Sequence, residues 1–316
     1  MSEQTTSDEF WVIGHRGSPT LEVENTMPSF RRAVELERAN GLEIDLCVTR
    51  EGEVVIWHDC DPNGLQSRLR RWGLEPEVAY RPFAPSDDAL LKPVHELALG
   101  ELREHYGYAE KRLGGNRVES EIPTLDTFME WAARRSELAV VFLDVKLTDA
   151  HAEHLPTLLR RLDRLVDELR PGFRIVIETA HAGVVSELQR LTAAFDCALD
   201  VEPHAGVVSD PRECSAVRAA IRHGLRFAMP QKPRSITIWP FQTHLSIVAH
   251  DQTELRRHNL EHASTPVDGI CAFTINDREE MAELMRLGVV GIQSDRPALL
   301  REVAAARAPA PRPAKN

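Results

Sequence analysis

Short apolar runs alternate along the chain with longer stretches whose apolar residues recur at helical spacing. The runs that predict strands are 11–13, 42–48, 54–57, 140–145, 175–177, 198–201, 227–229, 270–275 and 289–292. The stretches that predict helices lie near 27–39, 124–135, 152–169, 182–194, 212–223, 252–263, 278–287 and 297–306. Strands that alternate with helices imply parallel strands joined by helical crossovers. The number of repeats favours a (β/α)8 TIM-type barrel over an open sheet.

One stretch, residues 61–121, interrupts this rhythm. It has weak strand signal, five prolines and a helical pattern near 95–110. We interpret it as a small subdomain inserted into one βα connection of a barrel domain that spans residues 11–305. The residues on either side, 1–10 and 306–316, are polar or proline-rich and are predicted to be flexible termini. Without the insertion and the termini, roughly 230 residues remain, close to the ~250 typical of the barrel fold.

The composition is that of a folded, acidic protein. Apolar residues make up 42% and charged residues 28% of the 316 positions, which provides enough apolar material for a large core. The net charge of −11 argues against nucleic-acid binding through a general basic surface. It does not argue against a small phosphorylated ligand, because a few local cations or a metal can reverse the field within one cleft.

The ends of the chain and its cysteines bear on the cellular compartment. The N-terminus has neither a basic n-region nor an apolar h-region, and no stretch approaches the ~18 apolar residues of a membrane span. The five cysteines are scattered, with no CxxC pair, so we expect neither a disulfide framework nor a structural zinc site. These features predict a cytoplasmic protein without stable membrane insertion.

The first candidate for chemistry is the segment Gly14-His15-Arg16-Gly17, which directly follows the first apolar run. Adjacent imidazole and guanidinium groups between glycines suit an anion that approaches the backbone closely. For an isolated match, an ordinary surface loop is the better interpretation. A functional role for this segment is therefore indicated only if other chemical groups lie close to it in the fold.

Two carboxylates share one face of the second predicted strand. Glu43 and Asp45 are two residues apart and point together, opposite the apolar residues between and beside them. Such a pair is costly to bury without a cation, and a hard divalent metal relieves that cost. A solvated acidic face on an edge strand is the alternative. His58 ends the next apolar run beside Asp59, so it is either a core histidine satisfied by that carboxylate or part of the same site.

The strand near 140–145 has the same alternation of polar and apolar residues. Asp144 and Lys146 share a face, and an internal ion pair between them is the alternative to a functional role. A barrel, however, brings the ends of distant strands to one rim. Asp144 would then complete a metal site with Glu43 and Asp45, and Lys146 would hold a phosphate oxygen.

Together these segments fit the requirements of phosphate-ester cleavage. That reaction needs charge neutralisation on the phosphoryl oxygens, an activated nucleophile and a proton donor for the leaving alkoxide. His15 and His58 would act as acid and base, and the three carboxylates would hold one hard cation. Arg16 and Lys146 would meet the anion.

The order of the motifs resembles that of the glycerophosphodiester phosphodiesterase family. The resemblance covers residues 11–301 and implies a TIM-type barrel with a small subdomain inserted after the His58-Asp59 segment. It also implies a divalent ion, Ca²⁺ or Mg²⁺, and hydrolysis of glycerophosphodiesters to an alcohol and glycerol 3-phosphate. The residues that carry it are Gly14-His15-Arg16-Gly17, Glu24-Asn25-Thr26, Glu43-Ile44-Asp45, His58-Asp59, Ile122-Pro123-Thr124-Leu125, Asp144-Val145-Lys146, Phe273-Thr274-Ile275-Asn276 and Ser294-Asp295-Arg296-Pro297.

The resemblance implies a role for each matching site residue. His15 and His58 match the acid/base pair of the family. Glu43 and Asp45 match its metal carboxylates, and Asp144 stands where the third carboxylate, usually Glu, is found. Because Asp is one methylene shorter than Glu, the ion can sit differently or gain a water ligand.

The same comparison implies the groups that contact the substrate. Arg16 matches a phosphate-contacting arginine, and Lys146 matches the lysine two residues beyond the third carboxylate. Phe273 stands where a tryptophan is common near the substrate, and Val23 replaces a frequent proline. Residues 61–121 lack the usual threonine- and arginine-containing segment, which leaves the alcohol group and the choice of metal open.

Two other functions compete with this hypothesis. A sphingomyelinase-D-like enzyme on choline phospholipids would also carry paired histidines and a Glu-x-Asp pair, and a non-catalytic protein could bind phosphodiesters. The expected partner is a small phosphodiester and not nucleic acid, and the oligomeric state is left open. The basic run Arg68–Arg71 is interpreted as a solvated face of the insertion. Five more polar residues follow the fourth and fifth barrel strands, where one of them can contact substrate or ion: Glu178, His181, Asp200, Glu202 and His204.

Overall fold

The structure is a computed structural model that describes residues 10–87, 89–112, 115–201, 215–232 and 244–307. The predicted flexible termini, 1–10 and 306–316, lie outside these ranges except for residues 10, 306 and 307.

Twelve strands form within the described residues. They are β1 Trp11–His15, β2 Gly41–Val48, β3 Val54–Ile56, β4 Tyr80–Phe83, β5 Gly107–Glu110, β6 Arg117–Val118, β7 Val140–Val145, β8 Arg174–Thr179, β9 Asp196–Val201, β10 Phe227–Pro230, β11 Gly269–Ala272 and β12 Gly291–Ser294. Eight of them pair in parallel in the order β1-β2-β7-β8-β9-β10-β11-β12, and β12 pairs with β1. The sheet therefore closes, and the predicted (β/α)8 barrel is confirmed.

Ten α-helices accompany these strands in the described parts of the chain. They are α1 Met27–Arg31, α2 Leu65–Arg71, α3 Leu99–His105, α4 Leu125–Ala132, α5 Leu155–Leu169, α6 Ala182–Leu191, α7 Ala216–His223, α8 His244–Glu261, α9 Arg278–Leu287 and α10 Pro297–Arg307. A π-helical turn, Arg32–Leu36, extends α1, and two 3₁₀ helices span Val94–Glu96 and Asp149–His154. None of the helices in these described ranges has both the length and the apolar character needed to cross a membrane.

The alternation of side chains along the strands determines what fills the barrel. On β7, Val141 and Leu143 pack outward against the helices, whereas Val140 and Phe142 join a separate cluster inside the barrel. The polar residues of the strands follow the same rule. Asp144 lies two residues beyond the inward Phe142 and therefore on the inward face of β7. Glu43 lies between the outward Leu42 and Ile44 and is aligned with Phe142, so it faces inward from β2.

The ninth predicted strand has a different role from the other eight. Residues Val54–Ile56 form β3, which runs antiparallel to β2 and stays outside the closed barrel. This hairpin returns the chain to the end of β2, where the backbone N–H of Trp57 donates to the carbonyl oxygen of Asp45 at 3.0 Å. The hairpin thereby brings His58 to the rim of the barrel, although β3, which precedes His58, is not one of the eight barrel strands.

The segment 61–121 contains α2, α3 and a small antiparallel sheet in the order β4-β5-β6. The helical pattern expected near 95–110 is only partly correct, since α3 ends at His105 and Gly107–Glu110 is a strand. Tyr108 and Ala109 are buried in the pairing with β4 and β6, which outweighs their local helical periodicity.

The structure also corrects the expectation about cysteines. Cys47 on β2 and Cys60, just beyond β3, form a disulfide with their Cα atoms 5.8 Å apart. The hairpin explains the pair, because a turn between β2 and β3 brings residues 13 positions apart to adjacent places. Cys197 and Cys271 are buried free thiols.

Candidate active site

The predicted site residues meet at the carboxyl ends of the barrel strands. β1 ends in His15, whose strand partner is Glu43 on β2. Asp45, two residues further along β2, is aligned with Asp144 on β7. Asp144 is aligned in turn with Glu178 on β8. Because neighbouring positions in a parallel sheet lie side by side, the carboxylates of three strands converge on the inside of the barrel mouth.

A compact group of carboxylates occupies this mouth. Glu43, Asp144 and Glu178 each present an oxygen, and these oxygens lie within 4.8 Å of one another. Glu43 is 1% exposed, and within the described chain its Oε1 receives no hydrogen bond. Burial and the nearby Asp45 and Asp144 carboxylates raise the pKa of Glu43 well above its usual value. A buried carboxylate oxygen with no donor, facing other carboxylates, fits a hard divalent cation.

Asp45, the other predicted metal ligand, faces cationic side chains. Its oxygens lie 2.9 Å from Lys146 Nζ and 3.1 Å from Arg16 Nε, and Asn25 Nδ2 donates to it at 2.6 Å. Burial alone would raise the pKa of Asp45, but Lys146 and Arg16 outweigh it and hold that pKa well below its usual value. Lys146 also pairs with Asp144, so the lysine lies between two carboxylates.

A carboxylate holds the ring of His15. Its Nδ1 lies 2.6 Å from Asp295 Oδ1, and Asn276 Nδ2 donates to the other oxygen of Asp295 at 2.6 Å. The second ring nitrogen, Nε2, lies 3.8 Å from Glu43 Oε2. Because Asp295 fixes one side of the ring, His15 presents the other side to the group of carboxylates.

His58 has a similar arrangement in a more buried place. Its Nδ1 lies 2.8 Å from Asp59 Oδ1, and Arg70 Nε donates to the same oxygen at 3.1 Å. Burial, together with the positive charges of Arg70 and Arg16, lowers the pKa of His58 well below 6.5. The ring is therefore neutral at neutral pH.

Arg16 is held by carboxylates on several sides. Its Nη1 donates to Glu24 at 2.9 Å and to Glu75 at 3.0 Å, in addition to the Nε contact with Asp45. The residue is 4% exposed and has a left-handed backbone, φ 54°, which places its N–H 2.9 Å from Glu43 Oε2. Arg16 thus links both acidic positions of β2 to the loop that follows β1.

The insertion contributes charged groups that the sequence did not identify. Arg70, interpreted above as part of a solvated face, is 3% exposed and pairs with Glu24, Asp59 and Glu75. That part of the interpretation is wrong, because carboxylates from distant segments enclose the guanidinium. A signal for Asp295 was present in the Ser294-Asp295-Arg296-Pro297 motif, whereas nothing in the local pattern distinguishes Arg70 from its exposed neighbour Arg68.

The remaining predicted positions lie near the same rim. Phe273 follows β11, is 8% exposed and packs on the apolar cluster inside the barrel. His181 immediately precedes α6, and Asp200 lies on β9, where its charge acts on Glu178. Glu202 and His204 lie outside the described residues.

The fold and this arrangement define a (β/α)8 barrel protein with two imidazoles that are held by carboxylates and a group of buried carboxylates that could hold a hard cation. A model of the glycerophosphoryl diester phosphodiesterase family matches residues 15–299. The chain therefore belongs to the glycerophosphoryl diester phosphodiesterase family.

Curated relatives match shorter segments of the chain. The glycerophosphodiester phosphodiesterase of Caldanaerobacter subterraneus subsp. tengcongensis is 46% identical over 48 residues, which cover 15% of this chain and 19% of that protein. Glycerophosphodiester phosphodiesterase domain-containing protein 5 of Mus musculus is 40% identical over 73 residues, which cover 23% of this chain and 11% of that protein. In both cases the match spans less than one fifth of the relative's length.

Solved structures share the fold over nearly the whole chain. An Oleispira antarctica phosphodiesterase in complex with the product sn-glycerol-3-phosphate has a TM-score of 0.61 and 17% identity, covering 93% of this chain and 96% of that one. A glycerophosphodiester phosphodiesterase from Parabacteroides distasonis has a TM-score of 0.60 and 16% identity, covering 95% and 100%.

Proposed function

We propose that this protein hydrolyses glycerophosphodiesters to an alcohol and glycerol 3-phosphate. The observation that carries the proposal is that His15 and His58, each held by a carboxylate, border the acidic residues of β2: His15 Nε2 lies 3.8 Å from Glu43 Oε2, and the charges of His58 and Asp45 act on each other. Membership of the family supports it, as does the product bound to the Oleispira antarctica phosphodiesterase. The small phosphodiester is the partner that this site fits.

We further propose that one divalent ion, Ca²⁺ or Mg²⁺, binds among Glu43, Asp45 and Asp144. The unpartnered Oε1 of Glu43 supports this assignment, since an oxygen-rich, buried and acidic site suits either ion. When bound, the ion would neutralise charge on the phosphoryl group and favour ionisation of the attacking hydroxyl. The nucleophile is water or the 2-hydroxyl of the substrate's glycerol; in the second case the cyclic phosphodiester that forms is then opened by water to give glycerol 3-phosphate.

The two histidines divide the proton transfers. His58 is neutral because burial disfavours its charged form, and Arg70 offsets the charge of its partner Asp59, so His58 accepts the proton of the attacking hydroxyl. His15 faces Asp295, whose second hydrogen bond comes from the neutral amide of Asn276. That carboxylate holds Nδ1 and leaves Nε2 directed at the mouth, so His15 takes the other transfer and donates the proton that the departing alkoxide takes up.

Arg16 and Lys146 stabilise the negative charge of the phosphoryl oxygens. Lys146 is 24% exposed and reaches the mouth directly. To bind the phosphate, Arg16 would release one of its carboxylate partners. Glu75 is the one we expect it to release, because at 22% exposure it is the most accessible of them. Phe273 would form an apolar wall beside the alcohol group.

The test is release of glycerol 3-phosphate from a panel of glycerophosphodiesters, first with EDTA and then with Ca²⁺ or Mg²⁺ restored. We expect His15→Ala and His58→Ala to lower kcat by ~10² or more. His223→Ala, at the end of the outer helix α7, is the control and should leave turnover unchanged. Near-wild-type turnover by either site variant would contradict the assignment.

The same panel separates the competing functions. Activity on vesicles of choline phospholipids, without activity on glycerophosphocholine, would indicate a sphingomyelinase-D-like enzyme. Binding without product release would indicate a non-catalytic protein.

The cytoplasmic location remains a prediction, and the Cys47–Cys60 disulfide offers a test of it. Disulfides persist mainly in oxidising compartments. Free thiols at both positions in protein from native cells would agree with a cytoplasmic location, whereas an intact disulfide would argue against it.

A further inference from the structure

Glu178 is a buried acidic residue that the resemblance does not assign. It lies on β8, continues the inward face after Val176 and is 2% exposed. Its two oxygens accept from one neutral donor, Gln293 Nε2, at 3.1 and 3.0 Å. Placing a carboxylate there is costly unless another group compensates for the lost solvation.

The charges around Glu178 are mainly negative. Its oxygen lies within 4.8 Å of oxygens from both Glu43 and Asp144. Lys146, the lysine of the site, contacts Asp45 and Asp144 instead. Three carboxylates at this separation repel one another strongly in a buried place, and a doubly charged cation in their midst would reverse that repulsion.

A second feature points to a cation at the same place. Glu43 Oε1 is buried, belongs to a carboxylate of that group and has no hydrogen-bond donor among the described residues. Gln293 orients Glu178, and the Arg16 backbone N–H holds the other oxygen of Glu43. Both glutamates are therefore fixed by neutral donors that leave acceptor capacity directed at the same space.

Asp144 is one methylene shorter than a glutamate, so its carboxylate reaches less far into the barrel mouth. Asp144 and Glu178 are aligned across β7 and β8. A glutamate on the neighbouring strand can supply the reach that Asp144 lacks. We propose that Glu178 is a direct carboxylate ligand of the divalent ion, acting together with Glu43 and Asp144.

This ligand set has a consequence for the choice of ion. Ca²⁺ accepts six to eight oxygen ligands in flexible geometry, whereas Mg²⁺ usually keeps several waters and binds one or two carboxylates. A further carboxylate from Glu178 therefore favours Ca²⁺. The inference rests on the ion in the proposed function, but binding can be measured without catalysis.

The test is titration calorimetry of the full EDTA-treated chain with Ca²⁺ alone and with Mg²⁺ alone. Glu178→Gln keeps the size of the side chain and one acceptor oxygen for Gln293 but removes the charge. We expect this variant to bind Ca²⁺ at least ~10-fold more weakly and to lose most of the preference over Mg²⁺. Glu187→Gln, which removes a partly exposed charge on the outer helix α6, should bind like the wild type.

Thermal unfolding in EDTA checks that each variant is folded, and Glu178→Asp is the substitute if Glu178→Gln is not. The shorter, still charged aspartate should bind Ca²⁺ with an affinity below that of the wild type. An unchanged Ca²⁺ affinity in a folded Glu178 variant, or a wild type that binds neither ion, would overturn the inference. A wild type that binds Ca²⁺ through Glu178 but releases no glycerol 3-phosphate would overturn only the proposed hydrolysis.

Discussion

Arg70 connects the inserted segment to the acid/base machinery, and replacing it with methionine tests that connection. The guanidinium pairs with Asp59, Glu24 and Glu75 and is 3% exposed. Methionine keeps most of the apolar volume but removes the charge. The structure predicts a loss of both stability and turnover, because Asp59 orients His58.

The size of the stability loss depends on which cationic partners the three carboxylates still have after Arg70 is replaced. Glu24 and Glu75 retain Arg16 as a partner, whereas the Asp59 carboxylate retains, among the described residues, the ring of His58 alone. One buried carboxylate therefore loses its cation, which corresponds to the low end of the range for breaking a buried pair, about 3 kcal/mol. With an unfolding entropy of roughly 2.1 cal/mol/K per residue, this loss lowers Tm by about 5 °C.

Calorimetry and steady-state kinetics would measure the two effects. We expect Arg70→Met to lower kcat by about 10–100-fold. Losses of this size are typical when a group that orients the residues of an active site is removed. Arg68→Met is the matched control, since Arg68 is exposed on the same helix and its loss should change stability by less than about 0.5 kcal/mol. If the two variants have equal Tm and equal kcat, the proposed role of Arg70 is wrong.

Three further predictions follow from the site. Replacing Cys47 and Cys60 together by serine should lower the free energy of unfolding by about 3 kcal/mol, given their sequence separation of 13, and calorimetry with and without a dithiol reductant measures this loss. Because burial lowers the pKa of His58, and the ring must lose its proton to act as a base, the acidic limb of kcat/KM should lie below pH 6.5; a limb at higher pH would contradict the assignment. Asp295→Asn should lower kcat at least ~10-fold with little change in KM, since Asp295 acts through His15 and not on the substrate; an equal change in both parameters would argue for a direct contact.

The periodicity of the sequence favoured the barrel over an open sheet, although the count of strands and helices alone could not close it. The predicted strand 140–145 and helix 278–287 have the same bounds in the structure as β7 and α9. In both elements the apolar spacing and the burial agree, so the local pattern and the tertiary packing select the same structure. The antiparallel position of β3 could not be derived from its apolar run alone, because such a run fits an interior strand equally well.

The placement of the site residues could also be predicted in part from the sequence. The two-residue spacing placed Glu43 and Asp45 on one face, and the structure puts that face inside the barrel, opposite the outward Leu42 and Ile44. Spacing identifies the face of a strand but not its neighbour. The alignment of Asp144 with Glu178 depends on the register between β7 and β8, which no local pattern encodes.

The insertion shows why charge patterns alone were insufficient. A run of arginines on a short helix is usually solvated, and Arg68 conforms to that expectation. Arg70, two residues away, is buried because Glu24 lies 46 positions earlier in the chain and Asp59 lies 11 positions earlier, and both meet it at the rim. The energy that holds it is therefore non-local. Arg70 contacts Asp59, and Asp59 contacts His58. In the proposed mechanism, a change in the packing of residues 61–121 would therefore alter the group that accepts the proton, and this is how the segment would act on catalysis.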